Sequence, residues 1–353
     1  MQGLRFLQQN IVSFGGDPSK VTVWGQSAGA GVVESLFIYS RSTEHLFRAG
    51  IADSSTGPFK NSPPPEIYDK PGKPFVRLLA GTDCTPGADA LGCLRKVPFE
   101  TLLNVSNGMI SDTLNSQLWE PTISPGSLFS ARASEKIRRG EFLHLPYLAG
   151  TNVNEGAGFA ISLAGMNLSG KAQDDTFDDF ISRLLIDNST ITEGVLRKTH
   201  ELWAQNDSTL GAPFNTGDSL FDRAEAWYTD QMYLAPRRLL FEHAAQKQHI
   251  FAYYFREFIP GNDPMRGVAH ASELQLFYGP VPDIEIELAN NMTDFYLNFV
   301  YNLSPGSVWP RYNLNTRPVL QLIRENITVI SDDWDTDKTD FLNTDRVLDE
   351  YQK

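Results

Sequence analysis

The segment Gly25-Gln26-Ser27-Ala28-Gly29 sets a serine between two glycines, with the apolar run "VTVWG" (21–25) before it and "AGAGVVESLF" after it. A strand that turns this sharply into a helix pushes its serine hydroxyl out at the strand's C-terminal end. Side chains on either flank would clash, so Gly25 and Gly29 suit the turn. The helix that follows presents the N–H of Ala28 and its positive dipole end to developing negative charge. These features suit attack by Ser27 on a carbonyl carbon. Gly-x-Ser-x-Gly alone is a weak signal that also occurs in loops. The strand before it and the helix after it give it weight.

A serine nucleophile needs a base, and the base needs an orienting acid. The chain has six histidines: His45, His144, His200, His243, His249 and His270. His243 and His249 flank a predicted strand and His200 lies in a predicted helix, so these read as surface or packing residues. His270, in "MRGVAHASELQLFYG", follows a strand and a loop and stands among small residues, where it could swing over a site. The acid candidate is Glu155 in "AGTNVNEGAGF", although an acidic loop residue beside glycine is usually only solvated. Ser27, Glu155 and His270 each fall at the C-terminal end of a predicted strand. Open α/β sheets gather their sites at those ends.

The elements that must position these residues alternate along the chain. "VTVWG" reads as a buried strand in the interior of a parallel sheet, and "SAGAGVVESLFIY" as the helix after it. Further strands are read at "FRAGIADSS" (47–55), "LPYLAGTNVNEG" (145–156) and "HIFAYYFREF" (249–258). Between about 160 and 245 the apolar spacing is helical, and "NNMTDFYLNFVYNLSP" is an amphipathic helix stopped by Pro305. Strands separated by long helical insertions predict an α/β fold with a mostly parallel sheet. No internal repeat, low-complexity segment or proline-rich linker divides residues 1–353, which predicts a single domain.

The formal charge is −13, which disfavours nucleic acid and anionic membrane surfaces as partners. No apolar stretch approaches the ~20 residues that a transmembrane helix needs. The opening "MQGLRFLQQNIVSFGGDP" reads as an amphipathic helix and a turn, not as a signal peptide. Two features nevertheless point outside the cell. Asn-x-Ser/Thr sequons occur at Asn104, Asn167, Asn188, Asn206, Asn291, Asn302 and Asn326, the one at Asn302 weakened by Pro305. The only two cysteines, Cys84 and Cys93, have the spacing of a local disulfide, with two free thiols as the plainer reading.

The stretch "NIVSFGGDPSKVTVWGQSAGAG" resembles the signature of the type-B carboxylesterase/lipase family, which includes fungal lipases, cholinesterases and neuroligin-like proteins. "CTPGADALGCLRK", "GTNVNEGAGF" and "GVAHASELQLFYG" match in order, so the resemblance runs from residue 1 to about 330. It implies an α/β-hydrolase fold and carboxylic ester hydrolysis through an acyl-enzyme. Ser27 would be nucleophile, Glu155 acid and His270 base, with Ala28 N–H giving one oxyanion bond. It also implies a Cys84–Cys93 disulfide, a small-molecule or lipid ester substrate, a secreted protein, and no metal or cofactor. Three positions depart from the family's habit. Gln26 replaces a commoner glutamate, Ser54-Ser55 replaces a Ser-Gly, and Asn154 stands where aspartate is frequent.

The family's early strands, lid-like loop and His-Gly-Gly segment have no counterpart here, so the expectation is a C-terminal portion of such an esterase, N-terminally truncated. The main alternative is a non-catalytic, binding or adhesion-type relative. A cytosolic interaction protein would require the sequons to be accidental.

Overall fold

In the computed structural model, residues 1–40, 44–58, 62–111, 113–114 and 117–353 are described. Six strands form one sheet in chain order: β1 (Thr22–Gln26), β2 (Ala49–Asp53), β3 (Tyr147–Asn152), β4 (Ile250–Phe255), β5 (Pro318–Leu322) and β6 (Thr328–Ser331). β1 to β5 run parallel and β6 returns antiparallel. The four strands read from the sequence are all present: β1 is shifted by one residue, and β2, β3 and β4 are shorter than read by one to four residues at each end. β5 and β6 were not foreseen.

The strands read as continuous apolar runs because both faces of the sheet are covered. Alternate side chains go to opposite sides. Tyr147 and Ala149 of β3, with Ile250 and Ala252 of β4, pack on one face with Val33, Phe37 and Phe241. Leu148, Phe251, Tyr253 and Phe255 pack on the other with Met292, Tyr296 and Phe299. The first face is closed by helix α1 (Ala28–Tyr39) and by helix Ala235–Ala244; helix Ile286–Asn302 closes the second.

β1 was expected to be buried and is only partly so. Its one partner in the described sheet is β2, so its other edge is open, and Trp24 is 40% exposed there.

A third apolar cluster lies in the helical insertion, built on Phe177, Phe180, Trp203, Leu220 and Trp227. Helices Ser219–Thr229 and Ala235–Ala244 are joined by a π turn, Asp230–Leu234. Pro236 lacks the N–H that a regular helix would use at this point. Cys84 and Cys93 form a disulfide with Cα atoms 5.9 Å apart. Among the described residues no helix is long and apolar enough to cross a membrane.

Candidate active site

Ser27 sits at the turn between β1 and α1 with φ 57° and ψ −119°, a conformation that side-chain-bearing residues rarely adopt. Its N–H donates to Asp53 O of β2 (2.9 Å), and its carbonyl accepts the first helical bond, from Gly31 N–H (3.0 Å). The N–H groups of Ala28, Gly29 and Ala30, ahead of that bond, belong to the turn whose donors have no acceptor within the helix. Gly25 is required sterically, because a Cβ there would lie 2.2 Å from the main chain of Gly29. Gly29 corrects the expectation drawn from the motif: a Cβ there meets nothing within 4 Å, so clash does not demand glycine at this position.

Glu155 follows β3 and is fully buried. Its Oε1 accepts from Ser54 Oγ (2.5 Å) and from Asn152 N–H (2.7 Å), while Oε2 faces His270 Nδ1 at 2.6 Å. A carboxylate acceptor at that distance puts the ring proton on Nδ1 and leaves a lone pair on Nε2. Nε2 lies 3.3 Å from the side-chain nitrogen of Gln26, the residue before Ser27, so the amide donates to the lone pair. The imidazole thus stands beside the nucleophile turn, with its free nitrogen held by the neighbour of the serine.

The loop carrying His270 is stitched to the loop carrying Glu155. Asn154 and Ala269 form a parallel bridge, and Asn154 N–H donates to Val268 O (3.0 Å). The Asn154 side chain accepts from Val268 N–H (3.0 Å) and donates to Gly211 O (3.0 Å). An aspartate could do only the first, so asparagine has its own role at this departure from the family pattern. Gly156 is pressed against helix Ser219–Thr229, where a Cβ would meet Glu225 O at 2.1 Å. Tyr233 and Phe159 flank the imidazole with ring centroids 5.0 and 5.5 Å away.

Three residues here were not singled out as site residues. Gln26 and Ser54 had been noted only as departures from a pattern, and Asn152 not at all. Of the other histidines, His200 Nε2 meets Asp178 at 2.6 Å and His243 Nδ1 faces Leu239 O at 3.0 Å. The seven sequon asparagines are exposed except Asn291, which is half-buried. Among the described residues no group of three or more His, Cys, Asp or Glu is placed to hold a metal ion.

A parallel sheet with a serine turn after its first strand, an acid after the third and a histidine after the fourth has the α/β-hydrolase arrangement. EstA of Aspergillus niger shares this fold, with a TM-score of 0.80 and 20% identity over 99% of this chain and 68% of that one. The chain belongs to the carboxylesterase family, whose model matches residues 1–342. The secreted triacylglycerol lipase LIP1 of Gibberella zeae is 26% identical over 96% of this chain and 59% of its own length. Secreted lipase 1 of Botryotinia fuckeliana is 28% identical over 96% and 60%. Human neuroligin-2 is 30% identical over 79% of this chain and 32% of its own. The chain therefore spans about 60% of the length of the two fungal relatives.

Proposed function

We propose that this chain carries the Ser-Glu-His machinery of a secreted carboxylic ester hydrolase. Ser27 Oγ attacks the ester carbonyl as His270 Nε2 takes its proton. Glu155 keeps the ring proton on Nδ1 and stabilises the imidazolium as it forms. Ala28 N–H, at the positive end of α1, donates to the oxyanion. The imidazolium then protonates the departing alcohol, and the acyl group stays on Ser27 until His270 activates a water to release it. The observation that carries this reading is the 2.6 Å contact from Glu155 to His270, with Nε2 of the same ring against the neighbour of Ser27.

The resting contact to Gln26 must be exchanged for one to Ser27 before attack. Because the amide is neutral and weakly held at 3.3 Å, that exchange leaves no unpaired charge. The substrate class is a carboxylic ester, and the lipase names of the fungal relatives favour a lipid acyl ester. Secretion is supported by the exposed sequons and the disulfide as well as by those relatives; the sequon asparagines are proposed glycan acceptors. The open edge of β1 is where a further parallel strand would pair, and further oxyanion donors would come with such a segment. A serine-reactive fluorophosphonate tests the proposal, since it requires the activated hydroxyl but no particular acyl pocket.

A further inference from the structure

Three carboxyl groups are buried close to one another, one of them against the imidazole: Glu155, Asp53 at the end of β2, and Glu273, three residues past His270. All are fully buried, and their charges act on one another. Their hydrogen-bond partners are unequal. Glu155 receives Ser54 O–H, Asn152 N–H and the His270 ring. Asp53 receives Trp24 Nε1 (2.6 Å), Tyr296 O–H (2.7 Å) and Tyr253 O–H (3.1 Å). From other residues Glu273 receives one donor, Asn152 Nδ2 at 2.6 Å, and its Oε1 is buried without a partner. Asn152 Oδ1, in the same group, is also buried and unpartnered.

A buried carboxylate is costly unless several donors meet it, and neighbouring carboxylates cannot all ionise. The proton therefore goes to the member whose charge is least compensated. We infer that Glu273 holds this proton in the working protein and, as a neutral acid bound to Asn152, is a positioning residue for His270. Its O–H brings one donor to a set with two unmatched acceptors. Glu155 is then the carboxylate that answers the imidazolium. Asn152 links the parts: its main-chain N–H donates to Glu155, and its side-chain amide donates both to Glu273 and to Ala269 O (2.8 Å), immediately before His270.

Burial pushes the Glu273 carboxyl up to about 8, and the charges of Glu155 and Asp53 add to the effect. Burial raises Asp53 only to about 6, because its three donors oppose the shift. The titratable groups around Glu273 are Glu155 from the loop after β3, Asp53 from β2 and Tyr253 from β4. Tyr296 faces it from helix Ile286–Asn302, Tyr233 from the π turn, and His270 from its own segment. The three phenols are themselves pushed well above their ordinary range, first by burial, so they add no charge near neutral pH.

The positioning role rests on the triad reading above, whereas the protonation state does not. Infrared spectra of the whole chain, taken below and above pH of about 8, read the proton directly. The expected result is a protonated-carboxyl C=O band that disappears as the pH rises and is missing from Glu273→Gln. A Glu273→Gln spectrum that has lost no such band overturns the proposal. Should that variant not fold, carbon-13 NMR of the glutamate side chains in the unmodified chain decides the same point, and a Glu273 signal already ionised at neutral pH overturns it. Positioning is read from the pH dependence of fluorophosphonate labelling: an alkaline break in the unmodified chain, absent from Glu273→Gln. A break that persists in the variant refutes the positioning role. Labelling of neither protein counts against the triad reading and leaves the infrared result standing.

Discussion

His270 Nδ1 lies 2.6 Å from Glu155 Oε2, and the other oxygen of that carboxylate is held from two sides, by Ser54 Oγ at 2.5 Å and Asn152 N–H at 2.7 Å. Each bond is charge-assisted and buried, so the carboxylate cannot rotate away from the ring without losing both supports. Replacing Glu155 by Gln keeps the size but disturbs the tautomer and removes the charge. The expected fall in labelling rate is about 10³–10⁴-fold. A fall below tenfold, measured by stopped-flow or gel-based labelling, would show that Glu155 does not act on His270.

Ser54→Ala removes one of the supports. A hydrogen bond to a charged group is worth roughly 1.5–3 kcal/mol, so labelling should slow by about 10- to 100-fold while the fold survives. The check is the labelling rate beside a near-ultraviolet circular dichroism spectrum. An unchanged rate in a folded variant would mean that Asn152 alone fixes the carboxylate.

Gln26→Glu places a carboxylate where an amide now donates to His270 Nε2. A nearby negative charge favours the protonated ring, which cannot accept the Ser27 proton. The acid limb of the labelling-rate profile should therefore move to higher pH, and more in Gln26→Glu than in Gln26→Met. Superimposable acid limbs in all three proteins would contradict the 3.3 Å contact.

Asp230 and Glu225 are buried beside a polar cavity of about 50 Å³, next to the helix that presses on Gly156. Burial raises both carboxyls to about 8, from ordinary values of 3.8 and 4.5. The folded chain then keeps protons that the unfolded chain has released between about 4 and about 8. The stability these two groups contribute is full on the acid side, erodes as pH rises across that window, and is gone above it. Asp230→Asn mimics the neutral acid and can still accept from Trp203 Nε1, which now donates at 3.0 Å. Thermal unfolding across that window should slope less steeply for the variant than for the unmodified chain. Equal slopes would mean that Asp230 is ionised in the fold.

Asp332, just after β6, is buried against Arg237 (2.8 Å), Arg238 (2.7 Å) and Tyr312 O–H (3.2 Å). Despite burial, the two guanidinium groups hold its carboxyl below the ordinary range. Asp332→Ala would leave two buried cations without their anion, at a cost of about 3–5 kcal/mol. Urea unfolding reads this directly, and a loss under ~1 kcal/mol would show that the arginines find other partners.

Ser27, Glu155 and His270 were legible because each sits where an apolar run stops and glycine or small residues begin. β2, β3 and β4 were legible for the same reason, being buried on both faces, and β1 because an apolar run leads into the serine turn. β5 was missed because Pro318 begins it, and proline within a run argues against a strand. β6 was missed because it is a four-residue outer strand, mostly exposed, whose run at 327–330 is too short to stand out from a loop. Ser54 and Asn152 support the acid across strand ends far apart in the chain, and no local spacing encodes such pairings. The demand for Gly29 was overread, since the space beside it depends on what packs there and not on the turn alone.

The most direct measurement is mass spectrometry of the fluorophosphonate-treated protein, with the adduct located by peptide sequencing. The account predicts one adduct, on Ser27, lost in Ser27→Ala and slowed by orders of magnitude in His270→Ala. An adduct on another serine, or labelling that survives Ser27→Ala, would contradict it.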